Sequence, residues 1–173
     1  MNRAVGAGLT IFLLSWVFWG CGYRLEGRET SLPPEIRTIA VPTMGNRTLE
    51  AGIENIFTTA LVREFNRDRR LRLVRAKEAD SILRGSIQDF SISSVTYDEA
   101  GLAIEYRVEV TLEVSLRRVD TDEVLWQTDP IRETQTYRVI SDVLTNEARK
   151  REAVEEIARE LAETVHDRIV DRF

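Results

Sequence analysis

Fifteen residues in the middle of the chain leave little choice of fold. Over residues 102–116, eight apolar side chains (Leu102, Ile104, Tyr106, Val108, Val110, Leu112, Val114 and Leu116) alternate with Ala103, Glu105, Arg107, Glu109, Thr111, Glu113 and Ser115. A period of two sorts these side chains onto the two faces of a strand, whereas a helix would scatter them round its axis. At about 3.3 Å per residue such a strand is roughly 50 Å long. One face suits a core and the other suits water, so the pattern predicts a sheet covered on one side only. A strand this long is expected to run past the helices that cover it.

The flanking segments supply the rest of the sheet and its cover. Residues 36–41 (IRTIAV) read as a first strand closed by Pro42, and residues 43–48 (TMGNRT) as a loop around Gly45 and Asn46. The sequon-like Asn46-Arg47-Thr48 is read as part of that loop. A helix is predicted over residues 49–67, where Ile53, Ile56, Phe57, Ala60, Leu61 and Phe65 recur at three- and four-residue steps. Glu50 and Glu54 stand at its positive end, and Arg63, Arg67 and Arg69 at its negative end. A short strand at 71–74 and a turn at 77–80 follow.

Residues 81–95 predict a strand whose phase slips near Gln88-Asp89, the signature of a bulge. A hairpin tip at 97–101 joins it to the long strand. After a turn at 120–122, further strands are predicted at 124–127 and 131–139, with Pro130 between them. The last element is a helix over 146–172, capped by Asn146. Its stripe is Val154, Ile157, Ala158, Leu161, Val165, Ile169 and either Val170 or Phe173. The expected fold class is α+β: a mixed, mostly antiparallel sheet of four to five strands, with two helices packed on one face.

The other informative stretch is residues 2–21. Arg3 precedes an apolar run at 9–18 (LTIFLLSWVF), and polarity returns at once with Arg24, Glu26 and Arg28. The run is too short for a spanning helix, which needs about 20 apolar residues, and fits an export signal. Cys21, the single cysteine, follows it directly behind the small residue Gly20. That placement is the one used for cleavage and acylation in bacterial lipoproteins. Phe18 and Trp19 stand where lipoprotein signals usually carry Leu and then Ala or Ser. An ordinary cleaved signal with a spectator cysteine is the alternative.

On the lipoprotein reading, residues 1–20 are removed and residues 21–35 form a lipidated linker. Residues 36–173 then form one domain. Cys21 would carry an N-acyl diacylglycerol, and several acyl chains make a stable anchor where one does not. Gly22 in place of the Asp that marks inner-membrane retention points to the outer membrane. Residues 21–173 carry 23 basic and 29 acidic side chains. No general basic field exists for nucleic acid, and a polyanionic ligand would need a local patch.

With these pieces in order, the chain resembles the LptE family of lipopolysaccharide-assembly lipoproteins. The likeness is carried by Cys21-Gly22-Tyr23-Arg24-Leu25 and by residues 32–42 (LPPEIRTIAVP). It continues through Asn46-Arg47-Thr48 with Glu54 and Leu61, then Glu105-Tyr106-Arg107, Leu125-Trp126 and Asn146-Glu147. The resemblance implies a lipoprotein on the periplasmic side of the outer membrane. It would plug the lumen of a large β-barrel partner, LptD, help that barrel fold, and help deliver lipopolysaccharide to the outer leaflet. The family fold, two helices on a four-stranded sheet, agrees with the element order read from the residues. Two departures stand out: the chain ends at Phe173 without the polar tail of well-known members, and its hairpin tip, Tyr97-Asp98-Glu99, is acidic.

Phosphates of lipopolysaccharide would need guanidinium or ammonium groups on an open face. The candidates are Arg84, Arg107, Arg117, Arg118 and Lys150, with Arg84 and Arg107 expected to share one phosphate-facing patch. Each of the five has a plainer role available, in pairing with neighbouring carboxylates such as Glu105, Glu109, Glu113 or Glu152.

Nothing points to an enzyme. GxSxG, P-loop, HExxH and dinucleotide-glycine patterns do not occur. His166, the single histidine, is expected at the surface or at the core boundary, and no metal ligand set or cofactor is expected. Two other readings stay open. The 39–42 and 46–48 segments also look like other periplasmic lipoproteins, such as an activator of a cell-wall synthase or a subunit of a secretion pore. A lipid-anchored enzyme with an unfamiliar site is the third.

Overall fold

The computed structural model describes residues 33–67 and 70–170. The expected export signal, Cys21, the expected linker up to residue 32, Arg69 and Phe173 lie outside the described residues. The chain forms β1 (Thr38–Ala40), β2 (Gly45–Asn46), α1 (Ile53–Arg67), β3 (Arg72–Leu73), a 3-10 turn (Ala76–Glu78), β4 (Ser81–Tyr97), β5 (Ala103–Arg118), β6 (Val124–Gln127), β7 (Ile131–Arg138) and α2 (Val143–Val170).

All seven strands join one sheet in the order β3-β1-β4-β5-β6, with β2 also on β4 and β7 also on β5. β1, β3 and β4 run parallel, and β4, β5 and the β6–β7 pair run antiparallel. This is the expected α+β class. The strand number exceeds four to five because two pairs of residues, β2 and β3, reach far enough to bond. Pro130 divides the strands beside β5 as expected: β6 pairs with its end and β7 with residues 105–112.

β4 and β5 build a hairpin of 17- and 16-residue strands. The predicted bulge is present, since the register shifts between Ile87 and Asp89. The shift returns Phe90 and Ile92 to the face of Val110 and Val108. Below it, Met44 packs on bare backbone at Gly85. A Cβ there would stand 2.0 Å from the Met44 methyl and 3.2 Å from the Glu113 carbonyl.

The two helices run in the same direction over one face of the sheet. Lys150 near the start of α2 bonds Glu50 just ahead of α1 at 2.7 Å, and Phe65 near the end of α1 meets His166 near the end of α2. Ile53, Phe57, Leu61 and Phe65 of α1 are buried with Val154, Ile157, Leu161 and Val165 of α2. They close over Val108, Val110, Leu112, Val114 and Leu116, each at most 1% exposed. The apolar half of the β5 alternation is thus the sheet's share of one continuous core.

Three expectations are corrected. α1 begins at Ile53 rather than residue 49, because Asn46 takes the preceding segment for itself. Its side-chain amide donates to the Glu50 carbonyl (2.8 Å) and to the Glu54 carboxylate (2.9 Å), while its oxygen accepts from the Thr48 N–H and hydroxyl. Asn46-Arg47-Thr48 is therefore a structural clasp as well as a loop. The Glu54 carboxyl is held below its usual range by its own backbone N–H first, then by Asn46.

α2 begins at Val143 rather than residue 146. Its cap is Asp142, whose carboxylate accepts from the Thr145 N–H at 3.0 Å. Asn146 instead bridges back to Ile140, accepting from its N–H (2.9 Å) and donating to its carbonyl (2.7 Å). His166, expected at the surface or boundary, is only 6% exposed. It stands four residues after buried Ala162, so the helical repeat carries it under the Phe65 ring, edge to face at 5.3 Å.

Candidate functional site

The helices leave the opposite face of the β4–β5 sheet uncovered, and the candidate site lies there. Strand register decides which basic residues reach it. Arg84 pairs across from Ser115, and Arg107 stands between Ser93 of β4 and Thr136 of β7. Ser115 and Arg107 are eight residues apart on β5, so Arg84 and Arg107 share a face. They are nevertheless separated by about 26 Å along it. One phosphate group cannot touch both.

What the fold brings together around Arg84 is a different set. Arg84, Arg117 and Arg47 surround an open depression of about 310 Å³ floored by Ser86, Ser115 and Gln127. Arg117 grips Asp122 through two side-chain bonds, 3.0 Å from Nε to Oδ1 and 2.9 Å from Nη2 to Oδ2. Arg84 reaches the same carboxylate at 3.4 Å. The Asp122 carboxyl is held below its usual range, by hydrogen bonding from Arg117 first and then by the charges of Arg117 and Arg84. Asp122 sits at a φ of 56°, a left-handed turn conformation that Asp tolerates.

Arg47 donates to the neutral Gln88 amide at 3.0 Å, and Gln88 in turn donates to Glu113 at 2.6 Å. Three guanidiniums thus meet two carboxylates, and the balance at the rim is positive. Nothing in the periodicity pointed to Arg47. It arrives because β2 docks on β4, with Gly45 opposite Ser86, and the Arg47 N–H bonds the Ile87 carbonyl. The signal available was the turn pattern of residues 45–48, which says that a loop exists and not where it lands.

The remaining candidates part company. Arg118 ties the end of β5 to Glu35 and Glu123, each at 3.3 Å, with 18% of its side chain exposed. Lys150 is held between Glu50 and the face of the Phe90 ring, 5.9 Å from its centroid, on the helix-covered side. Both serve to join elements of the fold. Arg107 is exposed and makes no ion pair within the described residues, while Glu109 beside it takes Arg132 at 3.1 Å. Thr111, central on the same face between Asp89 and Arg132, is 8% exposed, and its hydroxyl oxygen has no partner among the described residues.

Among the described residues no group of His, Cys, Asp or Glu is placed to hold a metal ion. Among them too, no helix is long and apolar enough to cross a membrane. The uncovered sheet face is a polar platform suited to contact.

A model of the lipopolysaccharide-assembly family LptE matches residues 36–169. Several solved structures share the fold at low identity. A candidate lipoprotein from Caulobacter crescentus aligns with a TM-score of 0.55 at 15% identity, covering 82% of this chain and 88% of that one. Lipoprotein B from Nitrosomonas europaea aligns at 0.52 and 15% identity, covering 84% and 88%. The rare lipoprotein B from Shewanella oneidensis aligns at 0.51 and 16% identity, covering 78% and 95%. No curated protein sequence matches the chain significantly.

Proposed function

The chain belongs to the LptE family of lipopolysaccharide-assembly proteins, and on that premise we propose that it works as the plug and assembly factor of an LptD-like β-barrel in the outer membrane. It is held on the periplasmic side by acyl chains on Cys21. It helps its barrel partner fold and helps pass lipopolysaccharide to the outer leaflet, and it does so by fitting and contact, without catalysis or a cofactor. The observation that carries this reading is the family match running through every described strand and both helices.

The geometry supports it in two ways. A sheet roofed on one side presents a rigid polar face to a partner, and barrel interiors are polar. The depression bounded by Arg47, Arg84 and Arg117 offers bidentate donors to phosphate on that face. Arg107 would then make a separate contact about 26 Å further along the strand.

The test is affinity purification of the full chain from its own membranes through a C-terminal tag, with mass spectrometry of what accompanies it. The expected result is a large outer-membrane barrel, together with acylated Cys21 on the chain itself. Recovery of a peptidoglycan synthase, or of a homo-oligomeric ring without a barrel, would favour the other lipoprotein readings. The anion contact is tested separately. Charge reversal at both Arg84 and Arg107 is expected to weaken lipopolysaccharide binding, and unchanged binding would remove those residues from it.

A further inference from the structure

The chain is acidic overall, with 24 basic and 29 acidic side chains, yet one corner of the fold runs the other way. α1 ends in Arg67, β3 holds Arg72, and Arg75 and Lys77 stand at the 3-10 turn. The helix dipole accounts for Arg67 at the end of α1. It does not reach Arg70, Arg72, Arg75 and Lys77, which lie beyond the helix.

Tertiary bonds gather these residues at the foot of β1. β3 pairs with β1 on one side and is the last strand of the sheet on that flank. The Arg72 N–H donates to the Arg37 carbonyl at 2.9 Å, so the two residues stand on neighbouring strands. The chain then folds back from the 3-10 turn. The Asp80 N–H donates to the Thr38 hydroxyl at 2.8 Å, and the Asp80 carboxylate accepts from the Arg37 and Thr38 N–H groups. Arg37, Arg67, Arg70, Arg72, Arg75 and Lys77 are all exposed. Three carboxylates stand among them: Glu64 on Arg67 at 3.2 Å, Glu78 on Arg75 at 2.6 Å, and Asp80 on its backbone donors. Arg72 and Lys77 make no ion pair among the described residues. The neighbouring foot of the hairpin carries no such excess, since Arg118 is shared by Glu35 and Glu123 and Arg117 is taken by Asp122.

The linker enters beside this corner. Pro33 accepts from the Ile36 N–H in the turn ahead of β1, and Glu35 reaches Arg118. Cys21 lies twelve residues before Pro33, so the two are at most about 43 Å apart. An acylated Cys21 therefore keeps the foot of β1 close to a bilayer.

We infer that the corner built from Arg37, Arg67, Arg70, Arg72, Arg75 and Lys77 is a docking surface for anionic phospholipid headgroups, and that it seats the foot of the domain on the bilayer that holds its acyl chains. The acylated Cys21 rests on the proposed function; the basic corner is read from the structure. Exposed cations beside a lipid anchor add attraction to an anionic surface. These cations are spread along an edge and do not converge, which suits a field of phosphates and not a single one. Charges on an edge strand also deter stray pairing, but β3 is only two residues long, and Arg75 and Lys77 lie outside it.

Lys77 and Lys150 are the chain's two lysines, so acetylation by acetic anhydride, read by mass spectrometry, reports the corner against a built-in reference. The full chain is purified from its own membranes and reconstituted in vesicles of phosphatidylcholine alone, or of phosphatidylcholine and phosphatidylglycerol in equal parts. The inference expects Lys77 to react about fivefold or more slowly with phosphatidylglycerol present at low salt, and to recover at high salt. Lys150, held by Glu50 on the helix-covered side, is expected to react alike in both. Arg72→Glu with Arg75→Glu is expected to abolish the slowing and to keep the melting curve, because both side chains are exposed. Arg138→Glu with Arg151→Glu, the same change of charge on β7 and α2, is expected to preserve it.

Equal Lys77 rates in the two vesicles, equal slowing of both lysines, or loss of the slowing in both variants would overturn the inference. So would slowing by vesicles that contain lipopolysaccharide but not by those with phosphatidylglycerol. The intact mass of the chain separates the two readings. Acyl groups on Cys21 with equal Lys77 rates refute the inference alone, whereas a bare Cys21 refutes the anchor in the proposed function and the seating with it.

Discussion

The lower and upper halves of the β4–β5 hairpin follow one sequence rule and meet two fates. In the lower half, Leu83, Ile87, Val108, Val110, Leu112 and Leu116 are all fully buried beneath the helices. Past the Ser94–Tyr106 rung the same alternation continues through Ile104 and Leu102, and these side chains face solvent. Period-two patterning specifies which face a residue takes. It does not specify where the roof ends, because that depends on where α1 and α2 begin. Lys150, clamped between Glu50 and Phe90, ties the two helices to the sheet below that limit.

The contrast predicts the largest difference among single substitutions. Leu112→Ala empties a site sealed on every side and is expected to cost about 2–5 kcal/mol in urea unfolding. Leu102→Ala at the tip is expected to stay within about 0.5 kcal/mol. Equal losses would mean that the tip is as well roofed as the base. Gly85→Ala comes next. The new methyl collides with the buried Met44 side chain and crowds the Glu113 carbonyl, an overpacking of about 1–3 kcal/mol. A companion Met44→Ala is expected to restore part of the loss.

Asp80, at the foot of β4, sharpens the comparison by pH. Its carboxylate accepts from the Thr38 hydroxyl (2.7 Å) and from the N–H groups of Thr38 (2.9 Å) and Arg37 (3.0 Å). These bonds, the Thr38 hydroxyl first, hold it below the usual carboxylate range. A depressed carboxyl stabilises the fold fully above the ordinary carboxylate pKa, and that contribution disappears as pH falls through the lower native value. Urea midpoints should therefore fall between neutral pH and about pH 3, and Asp80→Asn should flatten part of that slope. An unchanged slope would exclude Asp80 from the acid response. The smallest effect is expected at Arg84→Ala, where an exposed pair with Asp122 is lost while Arg117 still holds that carboxylate. The urea midpoint should not move, so any loss of lipopolysaccharide binding in this variant would not be an effect on folding.

Much of this fold was legible because its signals are local. The alternation in β5, the bulge near Gln88, the α1 and α2 stripes and the break at Pro130 each follow from spacing alone. What failed was set by tertiary partners. Asn46 binding Glu54 delayed α1, Asp142 took the cap expected of Asn146, and Phe65 covered His166. The site divided in the same way. Arg84, Arg107 and Arg117 were placed on the polar face by their own strands. Arg47 came from a loop whose landing point no periodicity encodes, and Lys150 and Arg118 were claimed by Glu50, Glu35 and Glu123.

Amide hydrogen exchange along β4 and β5, compared between the full chain alone and the full chain purified with the proposed barrel, is the most direct measure of the difference between the two halves. Slow exchange is expected in the lower half in both states. In the upper half, at residues 95–97 and 102–104, faster exchange is expected in the chain alone and protection in the complex. Protection that appears only at the base, or an upper half equally protected without the partner, would contradict this expectation.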